Sequence, residues 1–393
     1  MTNKLACFLL VLLLIAFSSC SNVTVQKTAE EKPVDVVKIG ALLPMTGVVA
    51  AYGQDAWKGI QLAKEMNQVV LGKKIDVVLV DTKSDKIESA TAIRQLIETH
   101  KVVAIIGEML SGNTLAGASI AEKAKIPMVS PTATNPLVTQ GKKYIFRACN
   151  IDPVQGNVAA IYAFNTLKAR SAALIVDKSK DYCVGLAKFF FDKFKEIGGK
   201  ISAQTFCLTD DKDFSKQISI IISANPDVIY APNYYSPVAL FAKQARELGV
   251  LVPIMSGDGA RVDQLISIGG KGVEGLLMTE HYHPLAVNTE IGKEFISRFK
   301  TKYGVGPNPF NVLSADAYFV LRHALSRAGT TDGESIRVAL ATITDLDVIL
   351  GKLSIDQTGN TNRSMVITTV KDGVFVYVTT INPWIYYSFK GGA

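Results

Sequence analysis

From residue 36 onward two patterns alternate along the chain. Short aliphatic, β-branched runs at residues 36–43, 75–81, 102–107 and 127–130 are separated by longer stretches at 53–68, 87–100 and 113–125. In the longer stretches apolar positions recur three and four residues apart, as on one face of a helix. Near-continuous apolar runs suit strands buried on both faces, so the alternation predicts a parallel sheet covered by helices on both sides. The grammar restarts after Asp152. Runs at 172–176, 201–206, 228–231 and 253–256 predict strands, and 154–167, 184–197, 214–223 and 237–248 predict helices between them. Gly198-Gly199 and Gly249 stand where a helix end calls for a left-handed residue. Asp213 stands where it can cap the helix that follows.

After Gly275 the pattern changes. Residues 290–303, 311–328 and 332–341 have helical spacing, and 365–370 with 374–379 predict a hairpin turning at Asp372-Gly373. Two βα series of similar size imply two similar lobes, and 393 residues fit about two domains. A late hairpin that extends neither series implies that the chain crosses back between lobes.

The N-terminus is a separate signal. A basic start at Met1 to Lys4 precedes an apolar run at 5–17, the size of a signal-peptide core and short of the ~20 residues a membrane span needs. Ser18-Ser19-Cys20 resembles the lipobox of bacterial lipoproteins, in which Cys20 becomes the lipidated N-terminus; Phe17 departs from the Leu, Val or Ile preferred there. Residues 1–20 are therefore expected to be a lipoprotein signal and 21–36 a polar tether. With 48% hydrophobic and 20% charged residues the rest can build real cores. The net charge of +7 is scattered rather than clustered with aromatics, which suits a solvated basic surface and not a nucleic-acid partner. Beyond Cys7 and Cys20 the cysteines are Cys149, Cys183 and Cys207, with no metal-site spacing. Their odd number leaves at least one free thiol, and a Cys183–Cys207 bridge stays open.

Catalytic signatures are missing from the sequence. It has no G-x-G-x-x-G after the first strand, no P-loop, no G-x-S-x-G and no H-E-x-x-H, so neither a cofactor nor an enzymatic activity is expected. The densest polar cluster is Glu280-His281-Tyr282-His283. Histidines at alternate strand positions can bind a metal from one face, but a polar crossing between lobes is the favoured reading.

Three loops have the chemistry of a ligand site. Residues 107–114 lie between a buried run and a helix; Ser111 and backbone N–H groups at a helix start suit a carboxylate, although Ser111 or Asn113 could equally be a plain cap. Ser130-Pro131-Thr132-Ala133-Thr134-Asn135-Pro136 sets hydroxyls at the carboxyl edge of the sheet, where open parallel sheets bind ligands. In Ser256-Gly257-Asp258-Gly259 a single acid between glycines can approach a cation. Tyr52, Tyr182 and Tyr234 each fall in a strand-to-helix loop and could wall a cleft.

In that order, from Lys38-Ile-Gly-Ala-Leu-Leu-Pro-Met-Thr-Gly47 with Tyr52-Gly53, through Ser111, Ser130–Thr134, Asp177-Lys178, Tyr182, Tyr234 and Gly257–Gly259, to Gly351-Lys-Leu-Ser-Ile-Asp356, these pieces resemble the leucine/isoleucine/valine-binding protein family, the type I periplasmic solute-binding proteins of ABC transporters. The resemblance covers about residues 37–383. It implies an α/β fold of two doubly wound, Rossmann-like lobes joined by three crossovers, near 148–152, 279–283 and 354–362. Lobe 1 would be 37–150 plus 281–356 and lobe 2 151–280 plus 357–393. It also implies the site: Ser111, Thr132 and Thr134 on a ligand carboxylate, Asp258 on its ammonium, and Tyr52, Tyr182 and Tyr234 as aromatic walls. Some members have Glu at the Asp258 position. The implied protein is a monomeric receptor, lipid-anchored and facing the periplasm or cell exterior. It would carry a small amino-acid-like ligand, by default branched-chain or other aliphatic, to an ABC permease. Amides, urea or aromatic acids as ligands, and a sensory role, are the alternatives within the fold.

Overall fold

The computed structural model describes residues 35–383. The expected signal segment with Cys20, residues 21–34 of the tether, and residues 384–393 fall outside the described residues.

The first sheet is built by β1 (Val36–Leu43), α1 (Ala50–Met66), β2 (Val69–Val70), β3 (Lys73–Asp81), α2 (Lys86–Arg94), β4 (Ala104–Gly107), α3 (Ser111–Ala124), β5 (Met128–Ser130) and β6 (Ile145–Arg147). Its strand order is β2-β3-β1-β4-β5-β6, parallel except for the short β2. Alternate strand residues feed two layers, as the pleat requires. Ile39, Ala41 and Ile106 join Ala56 and Ile60 of α1, whereas Leu42 and Ile105 join Ile93 of α2 and Ala118 of α3.

The chain then passes to the second sheet through α4 (Asp152–Asn165), β7 (Ser171–Asp177), α5 (Asp181–Glu196), β8 (Lys200–Cys207), α6 (Ser215–Ala224), β9 (Val228–Tyr230), α7 (Tyr235–Glu247), β10 (Ile254–Ser256), α8 (Asp263–Gly269) and β11 (Leu277–Glu280). It returns to the first lobe in α9 (Glu290–Tyr303), α10 (Pro309–Ala328) and α11 (Gly333–Ala341), forms a small ribbon of β12 (Leu346–Val348) and β13 (Gly351–Leu353), and crosses again to β14 (Met365–Lys371) and β15 (Val374–Ile381). The second sheet has the order β15-β14-β11-β10-β9-β7-β8; β14 and β15 are antiparallel additions to five parallel strands. Two doubly wound lobes joined by three crossovers result, which is the expected fold class.

Local chemistry fixes several ends. Asp85 accepts the N–H groups of Ile87 at 2.7 Å and Glu88 at 3.0 Å, capping α2. Asp213 accepts the Ser215 N–H at 2.9 Å at the start of α6. Asp372 and Gly373 have φ of 52° and 71°, and two positive values in succession give the hairpin twist that matches paired strands. A Cβ on Gly59 of α1 would lie 2.0 Å from the Asn311 carbonyl oxygen, so α1 and α10 touch backbone to backbone.

The first and third crossovers lie against each other. Asn150 accepts the Arg363 N–H at 2.9 Å and donates to its carbonyl at 3.0 Å, and Thr361 donates to the Cys149 carbonyl at 2.9 Å. Arg363 also pairs with the buried Asp316 of α10 at 2.8 Å. Cys149, Cys183 and Cys207 are buried free thiols, so the Cys183–Cys207 bridge is not formed. Burial pushes Cys149 and Cys207 up to about 12, far from thiolate reactivity.

Candidate functional site

On the first lobe the site is assembled by three loops at the carboxyl ends of β3, β4 and β5. Glu108, just past β4, ties them together. Its Oε1 accepts the Thr82 hydroxyl at 2.8 Å and the Asn113 amide at 3.3 Å, its Oε2 accepts the Leu110 N–H at 2.5 Å, and its carbonyl accepts the Ser130 hydroxyl at 2.6 Å. Burial raises Glu108 to about 7 against the lowering pull of these donors. Ser111 is the first residue of α3, and the preceding Leu110 makes no side-chain cap. The first-turn N–H groups of a helix have no partners inside it. Ser111 Oγ accepts the Asn135 N–H at 3.2 Å, which leaves its own proton to give. Thr132 donates its hydroxyl to the Met109 carbonyl at 2.8 Å, so its hydroxyl proton is already engaged. The loop is backed by Arg147, fully buried, whose guanidinium donates to the carbonyls of Ala133 at 2.7 Å and Asn135 at 3.0 Å. These contacts hold the loop against the sheet and set a cation behind it.

On the second lobe Asp258 follows β10 in a single 3-10 turn, Asp258–Ala260. Its Oδ1 accepts Gln155 Nε2 and the Tyr182 hydroxyl, both at 2.8 Å. Its backbone N–H donates to Gln155 Oε1 at 3.0 Å, and Tyr182 also accepts the Gly259 N–H at 3.1 Å. A carboxylate with one oxygen saturated in this way is held in one orientation.

Between the two halves lies a small cavity bounded by Ser111 and Thr132 on one side, Asp258 and Gly259 on the other, and Tyr52, Tyr182, Tyr234 and Phe310 around them. Tyr182 and Tyr234 stack at 5.3 Å between centroids, Tyr52 and Phe310 at 4.2 Å, and Tyr52 meets Tyr234 edge-on at 5.9 Å. Burial pushes all three tyrosines well above their usual range, so they stay protonated donors. The Tyr52 hydroxyl bonds the Gly259 carbonyl across the lobes. Further contacts join them at the mouth: Lys86 to Asp181 at 2.6 Å, Asn135 Nδ2 to the Asp181 carbonyl at 3.1 Å and the Tyr235 hydroxyl to the Val48 carbonyl at 3.1 Å. The lobes are closed on each other.

The structure therefore brings together Ser111, Thr132, Asp258, Tyr52, Tyr182 and Tyr234 on one cavity. Thr134 is fully buried beside them and is not among the residues bounding it. The 280–283 cluster does not converge on one point: Glu280 pairs with Arg261 at 3.3 Å, His281 faces Asp258 at 3.4 Å, and His283 Nδ1 accepts the Leu285 N–H at 3.2 Å. Gln155, Phe310 and Arg147 went unnoticed in the sequence. Each sits in an ordinary amphipathic or strand-like stretch, and only the fold turns it toward the site. Donors at one end, a fixed carboxylate at the other and aromatic faces between them can hold a small molecule carrying a negative and a positive group a few bonds apart.

Comparisons with known proteins agree with this geometry. A family model described as periplasmic binding protein matches residues 36–374. The chain is 31% identical over 328 residues to a Leu/Ile/Val-binding protein homologue of Brucella suis, covering 82% of this chain and 87% of that protein. Among solved structures it is similar to a leucine-binding protein LivK from Thermotoga maritima, with 45% identity, a TM-score of 0.87 and coverage of 89% of this chain and 99% of that one. It is also similar to the branched-chain amino acid transporter substrate-binding protein LivJ of Streptococcus pneumoniae in complex with isoleucine, with 29% identity, a TM-score of 0.84 and coverage of 89% and 100%.

Proposed function

This chain belongs to the periplasmic binding protein family, within its leucine/isoleucine/valine-binding branch, and from that premise we propose that it is the extracytoplasmic receptor of an ABC importer that captures a free aliphatic amino acid between its lobes. The observation that carries this reading is the opposition of Ser111 and Thr132 to Asp258 across one aromatic-walled cavity. The α-carboxylate is assigned to the Ser111 hydroxyl, the first-turn N–H groups of α3 and the backbone of the 132–134 loop, with Thr134 supporting from behind. The α-ammonium is assigned to Asp258. Tyr52, Tyr182 and Tyr234 pack over the body of the ligand.

A zwitterion satisfies both lobes at once, so it stabilises the closed form more than the open one. Each charge-assisted hydrogen bond in such a dry cleft contributes roughly 1.5–3 kcal/mol. An aromatic acid offers a carboxylate to Ser111 but no cation to Asp258, which stands against it as the ligand. The same reading includes Cys20 as the lipid anchor, residues 21–36 as tether, lobe ranges of 37–150 plus 281–356 and 151–280 plus 357–393, and a monomer that presents its closed form to a permease.

Calorimetry of the purified protein with L-leucine, L-leucinamide and 4-methylpentanoate tests it. Tight binding of leucine, with binding weakened but still measurable when either charged group is removed, supports the reading. Binding of 4-methylpentanoate as tightly as leucine overturns the ammonium half, and binding of leucinamide as tightly overturns the carboxylate half.

A further inference from the structure

Asp258 has two oxygens, and the contacts described so far engage only one. Oδ1 takes Gln155 and Tyr182. Among the described residues Oδ2 faces one protein group, His281 Nε2, at 3.4 Å. The His281 side chain is 1% exposed, and neither of its ring nitrogens has a hydrogen-bond partner. A buried imidazole with no partner is costly, and the cost is relieved when one N–H closes on an acceptor. The carboxylate oxygen it faces is Asp258 Oδ2, 3.4 Å away.

The neighbouring residue makes the same kind of contact one step along. Glu280 pairs with Arg261 at 3.3 Å, and the Arg261 N–H closes the turn by donating to the Asp258 carbonyl at 3.0 Å. Successive residues at the end of β11 thus hold the two ends of the turn that presents Asp258. Arg261 is further fixed by the Phe375 ring of β15, 3.6 Å from the guanidinium carbon. The clasp sits where the chain leaves β11 for the first lobe, so the element that carries the second crossover also carries the grip on the turn.

We propose that His281 is a positioning residue for the ammonium end of the site, with its Nε2–H held on Asp258 Oδ2 so that both carboxylate oxygens are aimed before the ligand arrives. This inference rests on the amino-acid reading above. Its signature is selective. Loss of the N–H weakens ligands that carry an ammonium and leaves those that lack one alone, because His281 acts only through Asp258.

The test uses the full-length purified chain and two substitutions. His281→Leu keeps bulk and removes the N–H; His281→Gln keeps an N–H near the place of Nε2. L-Leucine and 4-methylpentanoate serve as probes, with the unliganded thermal midpoint as the check on folding. The expected result is a Kd for leucine raised about tenfold or more in His281→Leu, recovered to within about threefold in His281→Gln, with 4-methylpentanoate binding alike in all three proteins. Equal leucine affinity in wild type and His281→Leu overturns the inference and leaves the amino-acid reading standing. Parallel loss of both probes in both variants also overturns it, since that is the mark of a merely structural side chain. If the wild type binds no leucine, isoleucine or valine, the amino-acid reading falls and the inference with it.

Discussion

Asp258→Asn changes one atom and two properties. The amide oxygen can still accept from Gln155 and Tyr182, both at 2.8 Å in the parent, so the turn keeps its anchor. The negative charge is gone, and an NH₂ replaces the oxygen that faces the ligand cation. Asp258 is 5% exposed, so water does little to replace the lost partner. A hydrogen bond to a charged group contributes roughly 1.5–3 kcal/mol, and a buried charge deprived of its partner costs roughly 3–5 kcal/mol. Taking about 2.8 kcal/mol, the upper part of the first range and below the second, as a conservative figure, affinity for L-leucine falls about 100-fold. In a thermal-shift assay, ligand at 100 times the wild-type Kd adds about 2.7 kcal/mol to the parent's stability. At the same concentration the variant, now near its own Kd, gains only about 0.4 kcal/mol. The midpoint shift should nearly vanish while the unliganded midpoint holds. Equal shifts in the two proteins would refute the assignment of Asp258 to the ammonium. A large fall in the unliganded midpoint would instead show that the charge serves the fold.

Three further outcomes are expected. The Lys86–Asp181 pair bridges the lobes at the mouth with both side chains substantially exposed, 51% and 40%; Lys86→Ala should therefore speed leucine release only up to about fivefold in stopped flow, and the effect should shrink as salt is raised. Burial raises Glu108 to about 7 and Asp152 to about 8, against ~4 for carboxyls in an unfolded chain; the folded protein then holds the extra protons between those limits, so both groups lower stability as pH rises from about 4 to about 8. The fall in denaturant midpoint over that range should flatten in a Glu108→Gln/Asp152→Asn double variant, and an unchanged slope would contradict the sign. Gly59→Ala places a methyl 2.0 Å from the Asn311 carbonyl oxygen, where backbone must move; a loss of about 1–3 kcal/mol in urea unfolding is expected, with leucine affinity in the surviving folded protein little changed.

Much of the architecture was legible because buried parallel strands and amphipathic helices differ in length and period. The helix expected at 290–303 is α9 itself, and those at 53–68 and 113–125 start earlier in the structure, at Ala50 and Ser111. The start at Ser111 matters, since it puts this residue inside the first turn of α3 and removes the plain-cap alternative. The short strands β6 and β11 escaped notice: three or four residues such as Ile145-Phe146-Arg147 are too few to show a period. The hydroxyls and Asp258 were legible in or beside loops that follow strands, whereas Tyr52 and Tyr182, expected in such loops, lie in the first turns of α1 and α5, and Tyr234 immediately precedes α7. Gln155 and Phe310 were not legible: Gln155 holds Asp258 from behind, in the first turn of α4, and Phe310 reaches the cavity from the first turn of α10, and neither residue type at such a position marks a ligand site. His281 was legible only as part of the 280–283 cluster, for which a polar crossing was favoured over a metal site; which ring meets which partner depends on the backbone, which sends one to Asp258 and the other toward Leu285 and Tyr377.

The interleaving of the chain between its two sheets has a consequence for how the molecule is made. A polypeptide halted at residue 280 would contain β1 to β11 but none of the later elements that complete each half. The first sheet would lack α10, whose backbone packs on α1, and the second would show β11 as a bare edge until β14 pairs with it. Edges and uncovered faces of this kind do not form a stable product, and contacts so distant along the chain are slow to close. The pairing that covers β11 therefore waits until residues 365–371 are present. For a chain whose family works outside the cytoplasm, this order of construction keeps both halves incomplete until nearly all of the polypeptide has been made.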